Sequence, residues 1–210
     1  MMKYKISILI IAVLFISANA TAQLSQFGVK AGVNFSNMTV DNSDDNTLKT
    51  GFHAGAFGRM GISESFSLQP ELLYTTKGFT NSYDALIAEG EAKINLNYIE
   101  LPINLVYHLA RDFSFQFGPY FGYLANANVS SSNELLNFFQ IDTDDNIDRS
   151  RFKPIDIGLT AGLDFTMQQF IFGFKYNLGL TKVAKDNVVA EQLLGDAKNT
   201  VIQVYAGILF

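Results

Sequence analysis

The segment "IDTDDNIDRS" (141–150) sets Asp142, Asp144, Asn146 and Asp148 at alternate positions, the spacing with which a calcium loop presents oxygen ligands. The match then stops. Ile147 stands where such a loop needs its glycine, and Lys153 stands where it needs a bidentate glutamate. A weakly bridged divalent ion and a plain solvated loop both fit this pattern. His53 and His108 are the chain's two imidazoles, the side chains that most often serve as general bases. A third group is scattered: Lys30, Arg59, Glu71, Glu100, Asp156, Asp164 and Lys175 each stand between apolar neighbours, with Lys77 a further candidate. Paired with one another, these charges make a salt-bridge network; left unpaired, they line an ion pathway or a ligand site.

The elements that hold them decide between those outcomes. Along the chain the dominant signal is alternation of apolar with polar or small residues, the pattern of a half-buried strand. Eight segments carry it. In the first, Phe27, Val29, Ala31, Val33 and Phe35 alternate with Gly28, Lys30, Gly32, Asn34 and Ser36. The others fall near 52–60, 66–75, 99–109, 113–123, 155–165, 170–181 and 200–210. Each is roughly 10 residues or more, the length of a tilted membrane strand. The apolar stripe is aromatic and continuous, while the other face carries glycines and the seven charges. A lipocalin-type barrel has the reverse polarity. Pro70 and Pro102 fall inside strands and cannot donate to a ladder, so local bulges are expected there.

The connections alternate as well. Short turns fall at "ISES" (62–65), "ARD" (110–112) and "MQQ" (167–169), and long polar loops near 37–49, 80–92, 127–151 and 183–198. Eight up-and-down strands then place every long loop on one side, with the short turns and both termini on the other. That is the layout of an antiparallel transmembrane barrel in an outer membrane. Residues 1–22 read as a signal peptide: Lys3 and Lys5 precede an apolar run from Ile6 to Ile16, then small residues with Ala20 and Ala22 before the cut. The run falls short of the about 20 residues a spanning helix needs. The barrel domain is expected over 23–210. At its end, Ile202, Val204, Ala206, Ile208 and Phe210 form the last apolar face, so the final strand is expected to pair with the first and to set Phe210 in an aromatic girdle.

The stretches "GVKAGVNFSNM", "KTGFHAGAFGRMGISESFSLQPELLYTTKGF", "LNYIELPINLVYHL", "FSFQFGPYFGYL" and "KYNLGLTKV" resemble the outer-membrane beta-barrel domain family, often labelled porin family or PorT-like, of Bacteroidetes-type bacteria. The resemblance covers nearly all of residues 24–210. Its recurring runs are Gln69 to Tyr74 and Tyr98 to Pro102. It implies the fold and the outer membrane; it supplies no catalytic residues. The terminal strand ending in Phe210 also resembles the signature read by the barrel-assembly machinery, which implies that machinery as a transient partner.

An eight-stranded barrel has an interior just wide enough for side chains to fill. The seven charges are therefore expected to pair and plug it, with Lys77 near the outer rim. If Met167 and Phe170 flank their turn as a pair, Lys175 lies opposite Gly162 and diagonal to Asp164, within reach of its carboxylate. His53, at the outer rim, and His108, at the periplasmic rim, are separated by roughly 25 Å of barrel height, so they share neither a metal nor an active site. No catalytic residue, metal or cofactor is expected. The formal charge of −5 becomes more negative once the leader lysines are removed, which excludes nucleic acid as a partner. Two roles remain: a monomeric structural or surface-interaction protein acting through acidic loops, or a porin-like narrow pathway for ions or small solutes. In loop 127–151 the apolar run "NELLNFFQI" (133–141) is expected to cover the barrel mouth, enter lipid or meet a protein or glycan partner.

Overall fold

A computed structural model describes residues 24–39, 48–85, 88–133, 144–145, 152–183 and 198–210. Period-two alternation becomes strand at every segment that carries it. The elements are β1 (Leu24–Thr39), β2 (Lys49–Gly61), β3 (Phe66–Ala85), β4 (Ala88–His108), β5 (Phe113–Asn133), the two-residue β6 (Asp144–Asp145), β7 (Ile155–Met167), β8 (Phe170–Lys182) and β9 (Lys198–Leu209). Each long strand pairs antiparallel with its neighbour in the chain. β9 then pairs with β1 from Leu209↔Gly28 to Lys198↔Thr39, closing an all-antiparallel eight-stranded barrel. At that seam Phe210 and Phe27 exchange backbone hydrogen bonds and their rings stack at 6.3 Å.

The two faces of the wall differ in chemistry. Phe27, Val29, Leu72, Phe121, Leu163, Phe174 and Val204 point outward and are exposed, whereas Lys30, Glu71, Glu100, Asp164 and Lys175 point inward and are buried. A one-residue slip in any strand exchanges these sets. Among the described residues no helix is long and apolar enough to cross a membrane; the crossing is made by strands.

Glycines shape the interior by making room. Gly28 lies opposite Phe57, Gly158 opposite Tyr120 and Gly173 opposite Tyr205. At each of the three, an added Cβ would strike the ring. The inward aromatic rings therefore lie flat over glycine backbone, an arrangement that fills a narrow lumen and pins cross-strand register.

In the strands, the structure departs from the sequence reading at the long connections and at the prolines. Residues 80–92 do not form a loop: β3 runs on to Ala85 and β4 starts at Ala88, paired from Phe79↔Ile94 to Ala85↔Ala88. β5 likewise continues from Ala127 to Asn133 against β4, and β6 adds to it at Val129 and Ser130. Alternation does continue there, with Ala92, Ile94 and Leu96 set between Glu91, Lys93, Asn95 and Asn97, but the polar and small residues around it read as a loop. The expected proline bulges are also absent. Pairing on either side of Pro70 and Pro102 keeps a single register, and the irregularities fall at Leu24/Gln26, Asn97/Tyr98 and Leu178/Lys182. The prolines remove ladder pairs instead: β3 and β4 skip from Pro70↔Ile103 to Leu73↔Glu100.

Replacing Gly173 by valine should force Tyr205 from its seat and destabilise the barrel by about 1–3 kcal/mol, as overpacking does. Urea unfolding of the refolded protein measures it. Combined with Tyr205→Ala, the same change should cost clearly less than the sum of the two single changes.

Candidate functional site

The lumen gathers the scattered charges into two layers. The first lies toward the short turns. Glu71, on β3, receives Lys30 of β1 at Oε2 and Lys175 of β8 at Oε1, each at 2.6 Å. Gln69 and Asn104 donate to Glu71 Oε1 at 2.8 and 3.0 Å. Asp164, on β7, takes Arg59 at 3.3 Å and Gln116 at 2.7 Å, together with a short hydrogen bond from Tyr205. Arg59 also donates to Gln69 at 2.8 Å, which ties the two carboxylate clusters together. The Lys30 ammonium sits 4.4 Å from the Tyr205 ring centroid, a cation–π distance.

The second layer lies toward the long connections. Lys77 Nζ is 2.6 Å from Glu100 Oε2 and 3.1 Å from Asp156 Oδ2, and 4.3 Å from the centroid of Tyr120. Asp156 also accepts from Tyr120, Thr181 and Asn199 at 3.3, 3.1 and 3.0 Å. Lys49 caps this layer, donating to the Lys77 carbonyl at 3.3 Å. All eight ion-paired side chains are buried.

Thus Lys30, Glu71, Lys175, Arg59 and Asp164 come together, while Glu100 and Asp156 form a separate group around Lys77. The Met167↔Phe170 and Gly162↔Lys175 pairs lie as expected. Lys175 nevertheless reaches across the lumen to Glu71 and not to Asp164, which Arg59, Gln116 and Tyr205 already occupy.

His53 is not at the outer rim. β2 starts at Lys49, four residues upstream, so His53 lies fully buried inside the barrel with its ring edge-on to Tyr205. Its Nδ1 is 2.7 Å from Asn34 Oδ1. Asn34 Nδ2 donates to the Phe52 and Thr76 carbonyls and to Thr75, which fixes Oδ1 as the acceptor facing the imidazole. His108 ends β4, with Ser67 at 2.8 Å from Nε2 and Ser114 at 3.0 Å from Nδ1. Of the loop 142–148, only Asp144 and Asp145 lie within the described residues, paired as strand to β5; Asp142, Asn146 and Asp148 lie outside them, as does most of the apolar run 133–141. Among the described residues no group of three or more His, Cys, Asp or Glu side chains is placed to hold a metal.

Sequence reasoning missed the uncharged half of the site: Gln69, Asn104, Gln116, Tyr120, Asn199 and Tyr205. Their signal was parity. Each shares its strand's inward positions with a glycine or a charge, but a tyrosine among aromatics does not announce which way it faces.

A closed antiparallel barrel with an apolar exterior and an ion-paired interior defines a small transmembrane barrel protein. Over residues 20–185 the sequence matches the family described as Outer membrane protein beta-barrel domain, and the chain belongs to that family. It is an outer-membrane protein, surrounded by lipid. Solved structures with a similar barrel include Ail, the attachment invasion locus protein of Yersinia pestis, in complex with the heparin analogue sucrose octasulfate (14% identity, 88% of this chain and 98% of that one, TM-score 0.49). Neisserial surface protein A is similar at 14% identity over 87% of this chain and 95% of that one, with a TM-score of 0.44. The NanC porin is similar at 7% identity over 88% and 99%, with a TM-score of 0.31. No curated protein matches the chain in sequence.

Glu71→Gln leaves Lys30 and Lys175 without their shared carboxylate. Removing one partner of a buried ion pair costs about 3–5 kcal/mol, so this variant should unfold at markedly lower urea than Arg59→Gln, where Gln116 and Tyr205 still serve Asp164.

Proposed function

We propose that this protein is a sealed, monomeric barrel whose work is done at its cell-surface end, as a structural element of the membrane or as a platform that docks a protein or glycan. The observation that carries this reading is the filled lumen. The ammonium groups of Lys30, Lys77 and Lys175 and their carboxylate partners are almost wholly inaccessible, so a solute would have to break several ion pairs to pass. Strand lengths support it from the other side: β3, β4 and β5 run 20, 21 and 21 residues against 12–16 for the other barrel strands, and the surplus lies toward the long connections. A paired ribbon held above the lipid suits contact with something outside the cell.

The long connections are also where acids outnumber bases, with Asp41, Asp44 and Asp45 in one and Glu134, Asp142, Asp144, Asp145 and Asp148 against Arg149 and Arg151 in another. In this reading residues 1–22 are removed on export, the Phe210 strand is read by the assembly machinery, and the lumen charge network is a plug with no catalytic step or cofactor.

In a planar bilayer the refolded protein, its barrel verified by heat modifiability on a gel, should be electrically silent. Reproducible conductance steps that disappear in Glu100→Gln or Lys175→Met would overturn the sealed barrel and install the ion pathway in its place. Shortening the connection 134–151 that follows β5 should abolish retention of displaying cells on immobilised proteins or glycans without loss of the heat-modifiable form. Equal retention of the shortened and full-length proteins would remove the docking role from that loop.

A further inference from the structure

At the end of the barrel that carries the long connections, the outer surface is charged along one arc. Three neighbouring strand ends each set a lysine there: Lys153 just before β7, Lys182 at the end of β8 and Lys198 at the start of β9. The residue beside each turns inward. Thr181 and Asn199 both donate to Asp156 in the lumen, and Phe152 is buried, so the lysines stand on the outside of the wall. Lys198 is exposed and the other two are half-buried. Among the described residues of these three strand ends the only acid is Asp156, which faces the lumen. The chain as a whole is acidic, at −5, so the arc reverses its charge locally.

The backbone brings the three to one level. β8 and β9 lose their regular register between Leu178 and Lys182, where four steps along β8 answer two along β9. That irregularity sets Lys182 directly across from Lys198. On the other side of β8, the Lys153 N–H donates to the Val183 carbonyl at 2.9 Å, which holds Lys153 beside the same strand end. Neighbouring strands are about 4.8 Å apart, so the three lysine positions span about 10 Å. Like charges set opposite each other on neighbouring strands repel; an anion shared between them attracts both. Two residues below Lys153 and Lys182 lie Ile155 and Leu180, exposed apolar side chains on the lipid-facing surface. A lysine in that position lays its stem along the apolar wall and lifts its ammonium to the headgroup level.

We infer that Lys153, Lys182 and Lys198 form a binding site for a membrane lipid whose headgroup carries a phosphomonoester. The position selects a lipid, since the site stands directly above the surface that acyl chains cover. The charge selects the headgroup: a phosphomonoester carries about −1.5 to −2 at neutral pH, which suits three clustered ammonium groups better than the single charge of a phosphodiester. For the leaflet that supplies the lipid, the inference rests on the reading of this end as the cell-surface end.

The test uses the refolded barrel in detergent, mixed with bisphosphorylated lipid A, dephosphorylated lipid A or phosphatidylglycerol. Native mass spectrometry counts the folded protein that keeps one lipid. Retention should be highest for the phosphorylated lipid A, lower for phosphatidylglycerol and lowest for the dephosphorylated form. Lys182→Gln with Lys198→Gln should cut retention of phosphorylated lipid A by about tenfold, and Lys182→Arg with Lys198→Arg should keep it. Equal retention by the glutamine variant and the wild type would overturn the site. Equal retention of lipid A and phosphatidylglycerol would overturn the phosphomonoester, and inorganic phosphate bound as tightly as lipid A would overturn the lipid. If the double glutamine variant does not refold, Lys153→Gln, which leaves the backbone bond to Val183 in place, carries the same comparison. Detergent has no leaflets, so failure here would leave the reading of the cell-surface end standing.

Discussion

A backbone amide in hydrocarbon has no water to bond, and the rest of this structure depends on that constraint. Each unmatched group there costs several kcal/mol, so a sheet that enters the membrane cannot keep an edge. Pairing of β9 with β1 removes both edges at once. Closure then fixes everything inside: eight strands enclose a space about one layer of side chains across, and every residue is committed either to lipid or to that space. The charged side chains are buried because closure leaves them nowhere else to go on their own face of the strand.

The interior meets that condition by division of labour. Glycines hold tyrosine and phenylalanine rings flat against the wall, as Gly173 does for Tyr205. The rings carry cations over their faces, as Tyr120 does for Lys77. Amides and hydroxyls then occupy carboxylate lone pairs that the cations leave, as around Asp156. The register of the barrel and the contents of its lumen are therefore one problem. A one-residue slip would put Arg59 or Lys175 into the lipid at about 2–4 kcal/mol for a basic residue at midplane, and would also break the cross-lumen pairs that hold the wall together.

Much of this was legible in the sequence, because alternation is a local property. The eight strands, their inward and outward faces, the short turns and the Met167↔Phe170 register all follow from period two and from turn position. What failed depends on distance across the lumen or on alternation lost among polar and small residues. Lys175 was matched to Asp164 by strand neighbourhood, whereas the side chain selects Glu71 across the lumen. The ribbon of β3, β4 and β5 is rich in polar and small residues, so the short alternation of Ala92, Ile94 and Leu96 with Lys93, Asn95 and Asn97 was read as part of a loop. His53 was placed at the rim because the start of β2 was read three residues late. Pro70 and Pro102 were expected to produce local bulges; antiparallel pairing absorbs each as a few missing ladder bonds.

The seam between β1 and β9 also dictates an order of assembly. Gly28 and Leu209 come from opposite ends of the barrel sequence, and no shorter piece of the chain can satisfy the edge that β1 presents. A barrel of this kind cannot be built progressively as it emerges: up to its final strand it is a curved sheet with two open edges and an apolar outer surface, the kind of species that aggregates. The last strand therefore acts as a latch. Until it arrives the chain must be kept apart from its own copies, and once it closes, the most distant contacts in the sequence become the ones that seal the whole.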